Sequence, residues 1–331
     1  MIGHNISSRC DNFSDCGGDL LLLGSGVWFD VIHISGFTSL TISTLFSTGV
    51  LIFVAVTTRR SSLAFRLLKL PERLVVYLAI CDLMWSTTHI VDHVYMWVTY
   101  DHPPDLLCNA LAFLLSEFVL AQGLVVSFAA INAMVIVVLG KTIELGRYDW
   151  RLVVVALGLP TVWGVVLLVL GVFGPSGAWC LIDARKETYA LFNNLYSSTM
   201  IVVFMVNLFS YTLVICKVRV HSKNIKQSTQ GSAINKIAAT SALLILAYFA
   251  QWWPWFIYAI WSLIGNSPHI ILVVLNTIFC NLGGAFNFFA YSTFRKRLGE
   301  RNANVTTERL EGCEDEVQAP TSSKATKDMR Y

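Results

Sequence analysis

LVVVALGLPTVWGVVLLVLGVF, residues 152–173, contains no charged side chain. It is as long as the roughly 20 residues that an α-helix needs to cross the hydrocarbon core of a bilayer. The stretch is apolar throughout, whereas the strands of a membrane barrel alternate between apolar and polar residues over about ten positions. These features together predict a transmembrane helix.

Similar apolar runs lie on both sides of this one, and we count seven in all. They occupy residues 32–57, 74–98, 107–139, 152–173, 189–216, 236–263 and 270–292. Only 14% of the 331 residues are charged, against about 25% in soluble domains. We predict an all-α membrane protein, a seven-transmembrane helix bundle over residues 30–299. Residues 1–29 are then an extracellular segment, and residues 300–331 a disordered cytoplasmic tail.

The basic residues predict the orientation of the bundle. Seventeen Lys and Arg residues follow segments 1, 3, 5 and 7, and three lie on the opposite side. Positive charge collects on the cytoplasmic side, so we expect an extracellular N-terminus, a cytoplasmic C-terminus and a place in the plasma membrane. The net charge of +3 therefore reflects topology and implies no nucleic-acid partner. YSTFRKRLGER, after segment 7, predicts a short amphipathic eighth helix on the inner lipid leaflet.

Other surface features agree with this orientation. Asn5 and Asn12 begin glycosylation sequons on the predicted outer side. Four cysteines on that side can pair in an oxidising compartment: Cys10, Cys16, Cys108 and Cys180. A Cys10–Cys16 bridge would close a small N-terminal loop. A Cys108–Cys180 bridge would fix the loop after segment 4 over the mouth of the bundle.

Polar residues inside the apolar segments are the first functional candidates, since ionisable groups are costly in a bilayer. Asp82 lies near the middle of segment 2, and helical spacing places His89 and His93 on the same face. With Asp92 and Glu117, these histidines form an outer polar group. Its role stays open between ligand contact, a zinc set of two histidines and a carboxylate, and plain packing. For Asp82 we favour an ion-binding or switch role.

Segment 6 contains AYFAQWWPWFIYAI, residues 247–260, with Pro254 in its middle. A proline removes a helical hydrogen bond and bends the helix, which the membrane tolerates when neighbouring groups satisfy the freed carbonyl. We predict a hinge at which Trp252 and Trp253 reach into the bundle below a ligand cavity, while Trp255 faces lipid or a neighbour. A static kink filled with aromatic rings is the alternative.

At these positions the sequence resembles the G-protein-coupled receptors. Trp252-Trp253-Pro254 is similar to the Trp-x-Pro motif of rhodopsin-like receptors, and LAICD, ending at Asp82, to their Leu-Ala-x-x-Asp. NFFAY, beginning at Asn287, resembles Asn-Pro-x-x-Tyr with a phenylalanine in place of the proline. The Cys108–Cys180 pair is also the usual bridge of that family.

The departures from this pattern point to a divergent branch. Asn132-Ala133-Met134 stands where rhodopsin-like receptors have Asp-Arg-Tyr. GLP at residues 158–160 and WCLI at residues 179–182 look like the cyclic-AMP-receptor type. Leu115 replaces the aspartate of amine receptors, and Asn281 replaces the retinal lysine of opsins. We therefore expect a cyclic-AMP-receptor-like branch with remnants of rhodopsin-like motifs, whose ligand is another small molecule or a short peptide.

The resemblance implies a receptor, not an enzyme, that signals to heterotrimeric G proteins by outward movement of helix 6, with arrestin as a further partner of the tail. It implies no cofactor or metal, apart from a sodium ion near Asp82. The predicted ligand contacts are His89, His93, Glu117, Asn193, Asn194, Trp252 and Asn276. The predicted switch residues are Asp82, Gln122, Asn287, Tyr291, Trp252 and Pro254.

Three alternatives remain open at this stage. A transporter or channel would use the intramembrane polar residues, but the odd number of segments and the expected absence of spans broken at paired Gly or Pro residues oppose it. An intramembrane hydrolase would hold zinc on the histidines of segment 2. A seven-helix receptor that does not couple is suggested by Asn132-Ala133-Met134.

Overall fold

The computed structural model of the protein describes residues 26–58, 68, 70–141, 143–225, 229–264, 269–293 and 295–296, with backbone only at 220–225 and 229–241. Its helices are α1 Val27–Thr58, α2 Leu70–Thr99, α3 Asp105–Leu139, α4 Trp150–Val169, α5 Tyr189–Ile225, α6 Thr229–Leu263, α7 Ile270–Cys280 and α8 Gly283–Thr293. Six of the described helices are long and apolar enough to cross a membrane. The bent pair α7 and α8 makes a seventh if it is one span. The predicted helix bundle is confirmed.

The helix ends differ from the predicted segments where apolar pattern and helix do not coincide. Helix α5 continues to Ile225 and α6 already begins at Thr229, because a helix does not stop where its apolar stretch ends. The fourth helix ends at Val169, whereas the predicted segment runs to residue 173. Gly171 has a φ of 62°, a left-handed conformation that ends helices, and Phe173 then enters a strand.

A small hairpin covers the end of the bundle that the sequence predicts to be the outer one. Strands β1 (Phe173–Pro175) and β2 (Cys180–Ile182) are antiparallel, with Phe173 opposite Ile182. The predicted Cys108–Cys180 disulfide is present and joins β2 to the first turn of α3. The backbone N–H of Cys180 also donates to the buried Asp92 carboxylate on α2, at 2.8 Å.

Several predictions fall on residues outside the described ranges. They are the Cys10–Cys16 bridge, the sequons at Asn5 and Asn12, most of the amphipathic eighth helix and the tail at residues 300–331. Each of these stays a prediction.

A break separates helices α7 and α8 within the predicted seventh segment, which corrects the expectation that no segment is interrupted at glycines. Helices α7 and α8 meet at an angle of 48°, and Gly283 and Gly284 follow directly after the break. The N–H of Gly284 donates to Ser43 Oγ on α1 at 2.9 Å. The break therefore occurs where small residues let the backbone of the seventh span approach α1 closely.

This close approach gives a test of the packing. A Cβ at Gly284 would lie 2.2 Å from Ser47 Oγ and 2.4 Å from the backbone oxygen of Ser43. We expect Gly284→Ala to destabilise the protein by about 1–3 kcal/mol, because backbone atoms cannot move aside as side chains do. Gly158 in α4, where a Cβ meets nothing within 4 Å, is the matched control. In thermal unfolding in detergent, Gly284→Ala should have a lower melting temperature than the wild type, whereas Gly158→Ala should not. Equal melting temperatures for the two variants would contradict this packing.

Candidate ligand cavity and polar network

A cavity lies beneath the hairpin, and the empty space of about 450 Å³ within it includes a part that is open to solvent. Its walls come from α2, α3, α5, α6, the α7 region and β2. Six of the lining side chains are aromatic: Trp85, His89, Trp179, Tyr196, Trp252 and Trp255. The others are aliphatic, sulfur-containing or neutral and polar: Leu115, Val119, Leu181, Asn276, Thr277, Cys280 and Asn281.

The aromatic rings connect the hairpin to α6. Trp179 of the hairpin meets His89 with ring centroids 6.2 Å apart, and His89 meets Trp85 at 5.0 Å. Trp85 in turn meets Trp252 of α6 at 5.9 Å. All three contacts are edge-to-face, a geometry that aromatic pairs prefer. A displacement of one ring therefore changes the contacts of the next ring in this series.

Charges outside the membrane-spanning segments hold the far end of the hairpin. Asp183, directly after β2, accepts two hydrogen bonds from the guanidinium of Arg185, both at 2.9 Å. Burial tends to raise the pKa of Asp183, but the hydrogen bonds and charge of Arg185 outweigh it and hold that pKa below its usual 3.8. The stability that the Asp183 carboxylate contributes is complete above the pKa it has in the unfolded chain. It is lost as the pH falls through the lowered pKa of the folded state, so the hairpin has this contribution at neutral pH.

A hydrogen-bonded network lies below the cavity and joins five helices, α2, α3, α6, α7 and α8. Gln122 of α3 donates to Asp82 Oδ1, and Asn287 of α8 donates to Asp82 Oδ2 at 2.6 Å. Gln251 of α6 donates to Gln122 Oε1 at 3.3 Å and to the carbonyl of Cys280 at 2.9 Å. Asp82 itself is 1% exposed. Its carboxylate is thus the centre at which α2, α3 and α8 meet, with α6 attached through Gln251.

The structure places only part of the predicted ligand set at the cavity. His89, Trp252 and Asn276 line it. Glu117 instead accepts a hydrogen bond from Thr161 on α4 at 3.1 Å, because its position on α3 turns it towards that helix.

The remaining predicted contacts also lie elsewhere. His93 pairs with His33 of α1, with their Nδ1 atoms 2.9 Å apart. Asn193 donates to Ser262 at 3.0 Å and so links α5 to α6. Asn194 is half-buried on α5 and is not among the residues that line the cavity.

Among the predicted switch residues, Asp82, Gln122 and Asn287 come together in the network. Pro254 lies within the continuous helix α6. Tyr291 is buried, and its ring lies 6.2 Å from that of Phe53. Trp255, expected at lipid or a neighbouring helix, lines the cavity instead.

Sequence reasoning missed four prominent lining residues: Trp85, Trp179, Tyr196 and Asn281. Trp85 had an available signal, because it lies four residues before His89 and so shares its helix face. Asn281 was noted only as the residue that stands in place of the retinal lysine of opsins, and no ligand contact was predicted for it. Trp179 carried no usable signal, since its place depends on how the hairpin folds over the bundle.

The zinc alternative gains no support. Within the described ranges, no group of three His, Cys, Asp or Glu side chains is arranged to hold a metal ion. Asp92, the nearest carboxylate by sequence to His93, accepts the Cys180 N–H instead.

The end of the bundle away from the hairpin has contacts of a different kind. Where rhodopsin-like receptors have Asp-Arg-Tyr, Ala133 of α3 is fully buried against Val214 of α5. The ionic contact nearby is between Arg73 of α2 and Asp149, which precedes α4, through two hydrogen bonds of 2.6 and 2.9 Å. The hydroxyl of Tyr77 donates to the same carboxylate at 3.2 Å.

Comparison with known proteins connects this architecture with receptors. The sequence model of the taste receptor protein (TAS2R) family matches residues 178–286, from the hairpin through the start of α8. Cyclic AMP receptor-like protein A of Dictyostelium discoideum is 20% identical over 220 residues, which are 66% of this chain and 54% of that protein. The chain thus spans about half the length of this relative. Both matches are to families of G-protein-coupled receptors, and the resemblance to that class indicated by the sequence motifs is confirmed.

Proposed function

We propose that this protein is a plasma-membrane receptor that binds a small molecule or short peptide beneath the hairpin and signals to heterotrimeric G proteins. One observation carries the proposal: Trp252 lines the cavity and lies in α6 between Gln251, which joins the Asp82 network, and Pro254. A ligand that displaces the Trp252 ring therefore acts next to Pro254 and next to the network together. The receptor relatives support this function over an enzymatic one.

The mechanism is a shift between two conformations. A ligand that binds better when the inner half of α6 lies outward increases the population of that state. A change from mostly inactive to mostly active needs a difference of about 5.5 kcal/mol in binding free energy between the states. The hinge at Pro254 and the contacts of Gln251 are the groups through which this difference reaches the inner end.

At the inner end, the proposed opening separates α6 from α3 and α5 and admits a G protein next to the basic connections. The apolar contact of Ala133 with Val214 replaces the ionic contact of rhodopsin-like receptors, so the inactive state would be held by packing there. The cytoplasmic tail is the proposed contact for arrestin.

The direct test is a compound screen in cells that carry a panel of G-protein dissociation sensors. We expect compounds that activate the wild-type protein to fail with Trp252→Ala. Trp163→Phe, on α4 and not among the cavity-lining residues, should respond like the wild type. A surface-expressed protein that activates no sensor with any compound would support the non-coupling receptor instead.

Sodium sensitivity is a further expectation of this function. Asp82 is buried between two amides that donate to it. If each amide group is rotated by 180° about its terminal side-chain bond, its oxygen takes the place of its nitrogen. The two amides then offer the oxygen ligands that a hard cation prefers. The residues therefore fit a sodium ion that favours the closed state.

We expect sodium chloride to stabilise the wild-type protein by about 1 kcal/mol relative to N-methylglucamine chloride, as binding linkage gives at a few times the dissociation constant. Asp82→Asn should remove this difference. Glu117→Gln, a second buried carboxylate change, should keep it. The readout is thermal unfolding in matched salts, and a sodium effect that survives Asp82→Asn would rule out this site.

A transporter stays a second candidate because of the break between α7 and α8. Broken spans often line substrate paths in transporters. Flux measurements in proteoliposomes separate the two functions, since a receptor moves no solute.

A further inference from the structure

We infer that the cavity takes an uncharged, planar heteroaromatic ligand that offers acceptors to indole N–H groups and a donor to His89. The signalling role of such a ligand rests on the proposed function, whereas its binding does not. The inference follows from the charge, the shape and the unpaired polar atoms of the cavity.

The charge of the ligand follows from the lining. None of the lining residues that the structure describes carries a formal charge. The acidic groups of the spans nearby are not among the lining residues: Asp82 accepts from two amides, Asp92 from the Cys180 N–H and Glu117 from Thr161. A buried ion without a countercharge is strongly disfavoured. Ammonium, carboxylate and phosphate ligands are therefore poor candidates.

The shape of the ligand follows from the walls. Four tryptophans, Tyr196 and His89 surround the space, and the rings from Trp179 to Trp252 meet one another edge-on. Such walls pack best against a flat ring by stacked or edge-to-face contacts.

Two unpaired donors require acceptors on the ligand. The indole Nε1 atoms of Trp252 and Trp255 are buried and have no hydrogen-bond partner among the described residues, and both side chains line the cavity. An indole N–H can only donate, and a buried donor without an acceptor is costly. Carbonyl oxygens or ring nitrogens on the ligand would satisfy both groups.

A third observation determines which atoms donate and which accept around Asn281 and His89. The Trp85 indole N–H lies 3.0 Å from Asn281 Oδ1. Because that indole can only donate, the Asn281 atom facing it must be the amide oxygen. The same oxygen lies 3.1 Å from His89 Nδ1, so the His89 proton is on Nδ1.

His89 Nε2 is then an acceptor in the neutral ring. It is buried without a partner in the described part of the chain, as is the amide nitrogen of Asn281. The ligand therefore needs one N–H or O–H group for His89 as well as its acceptors. A flat lactam or a related heteroaromatic compound has this combination.

The test uses matched probes with purified full-length protein in nanodiscs and equilibrium binding as the readout. Carbostyril is a planar bicyclic lactam with one carbonyl and one N–H. Quinaldate and N-methylquinolinium keep the bicyclic ring but carry negative and positive charge, and caprolactam keeps the lactam without the aromatic ring. We expect saturable binding of carbostyril and at least about tenfold weaker binding of the other three.

Two variants locate the binding. Trp252→Phe keeps an aromatic ring but loses the N–H together with the five-membered ring of the indole, so carbostyril should bind at least about three- to tenfold more weakly. Trp163→Phe removes another buried, unpartnered indole N–H outside the cavity and should leave binding unchanged.

Three results would overturn the inference: no saturable carbostyril binding, equal or tighter binding of either charged probe, or binding that Trp252→Phe does not weaken. If carbostyril binds in the expected pattern but no G-protein sensor ever responds, the cavity chemistry stands and the proposed signalling function fails.

Discussion

Replacing Arg73 with methionine should lower the free energy of unfolding by about 3–5 kcal/mol, because it leaves a buried carboxylate without its countercharge. Asp149 is 2% exposed and receives both hydrogen bonds of the Arg73 fork. Methionine keeps much of the length and apolar surface of the arginine stem, so lost packing contributes little to the change.

The backbone at this site strengthens the expectation. Tyr148 and Asp149 have φ values of 58° and 55°, a left-handed conformation that costs non-glycine residues about 1–3 kcal/mol each. Such strain persists only where surrounding contacts enforce it. The Arg73 fork and the Tyr77 hydroxyl supply those contacts, so the connection before α4 should relax once the arginine is lost.

A double-mutant cycle separates the ion pair from other effects. Asp149→Asn in the Arg73→Met background should recover a large part of the loss, because no buried charge remains and asparagine tolerates the left-handed backbone. Arg151→Met, a change at an exposed arginine two residues further on, should cost little. Reversible unfolding in SDS supplies the free energies. Two results would contradict the role of the pair. Either Arg73→Met lowers the free energy of unfolding as little as Arg151→Met, or the double variant is less stable than both single variants.

Removing the Cys108–Cys180 bridge by serine at both positions should destabilise the protein by about 2–5 kcal/mol and release the hairpin from the cavity. The bridge closes a sequence separation of 72 residues, and Trp179 and Leu181 beside it line the cavity. After its loss, the described residues still hold the hairpin to α2 through the hydrogen bond from the Cys180 backbone to Asp92 and the ring contact of Trp179 with His89.

Cys280 is a natural reporter for this release, since it is a buried free thiol that lines the cavity. In a background where the other free cysteines are replaced, a membrane-impermeant thiol reagent should modify Cys280 at least about tenfold faster without the bridge, the effect of about 1.4 kcal/mol of lost docking energy. Cys280→Ala in the same background controls for residual labelling. An unchanged rate would show that the hairpin does not close the cavity.

The sequence predicted the features that follow from local pattern. Continuous apolar runs placed the spans, because a bilayer requires each backbone segment to satisfy its own hydrogen bonds. The even number of outer cysteines allowed the Cys108–Cys180 bridge. Helical spacing placed Asp82 on the inward face of α2, where the structure brings Gln122 and Asn287 to it.

The sequence could not predict features that depend on how helices rotate and how loops fold. Glu117 and Trp255 each lie on a helix whose rotation the apolar pattern leaves open. Glu117 was therefore expected at the ligand and Trp255 away from it. Trp179 reaches the cavity because the disulfide and Asp92 hold the hairpin down. The break at the seventh span arises from contacts with α1 and α2, such as the approach of Gly284 to Ser43, which one segment alone does not reveal.

The most direct measurement is the distance between the ends of α3 and α6 that lie away from the hairpin. It is read by double electron–electron resonance from spin labels at Leu139, which is exposed, and at residue 232. The full-length protein in nanodiscs is compared with and without the most effective compound from the sensor screen. We expect the compound to add a population at longer distance and Trp252→Ala to abolish this population. A distance distribution that stays unchanged while the G-protein sensor responds would contradict signalling through α6.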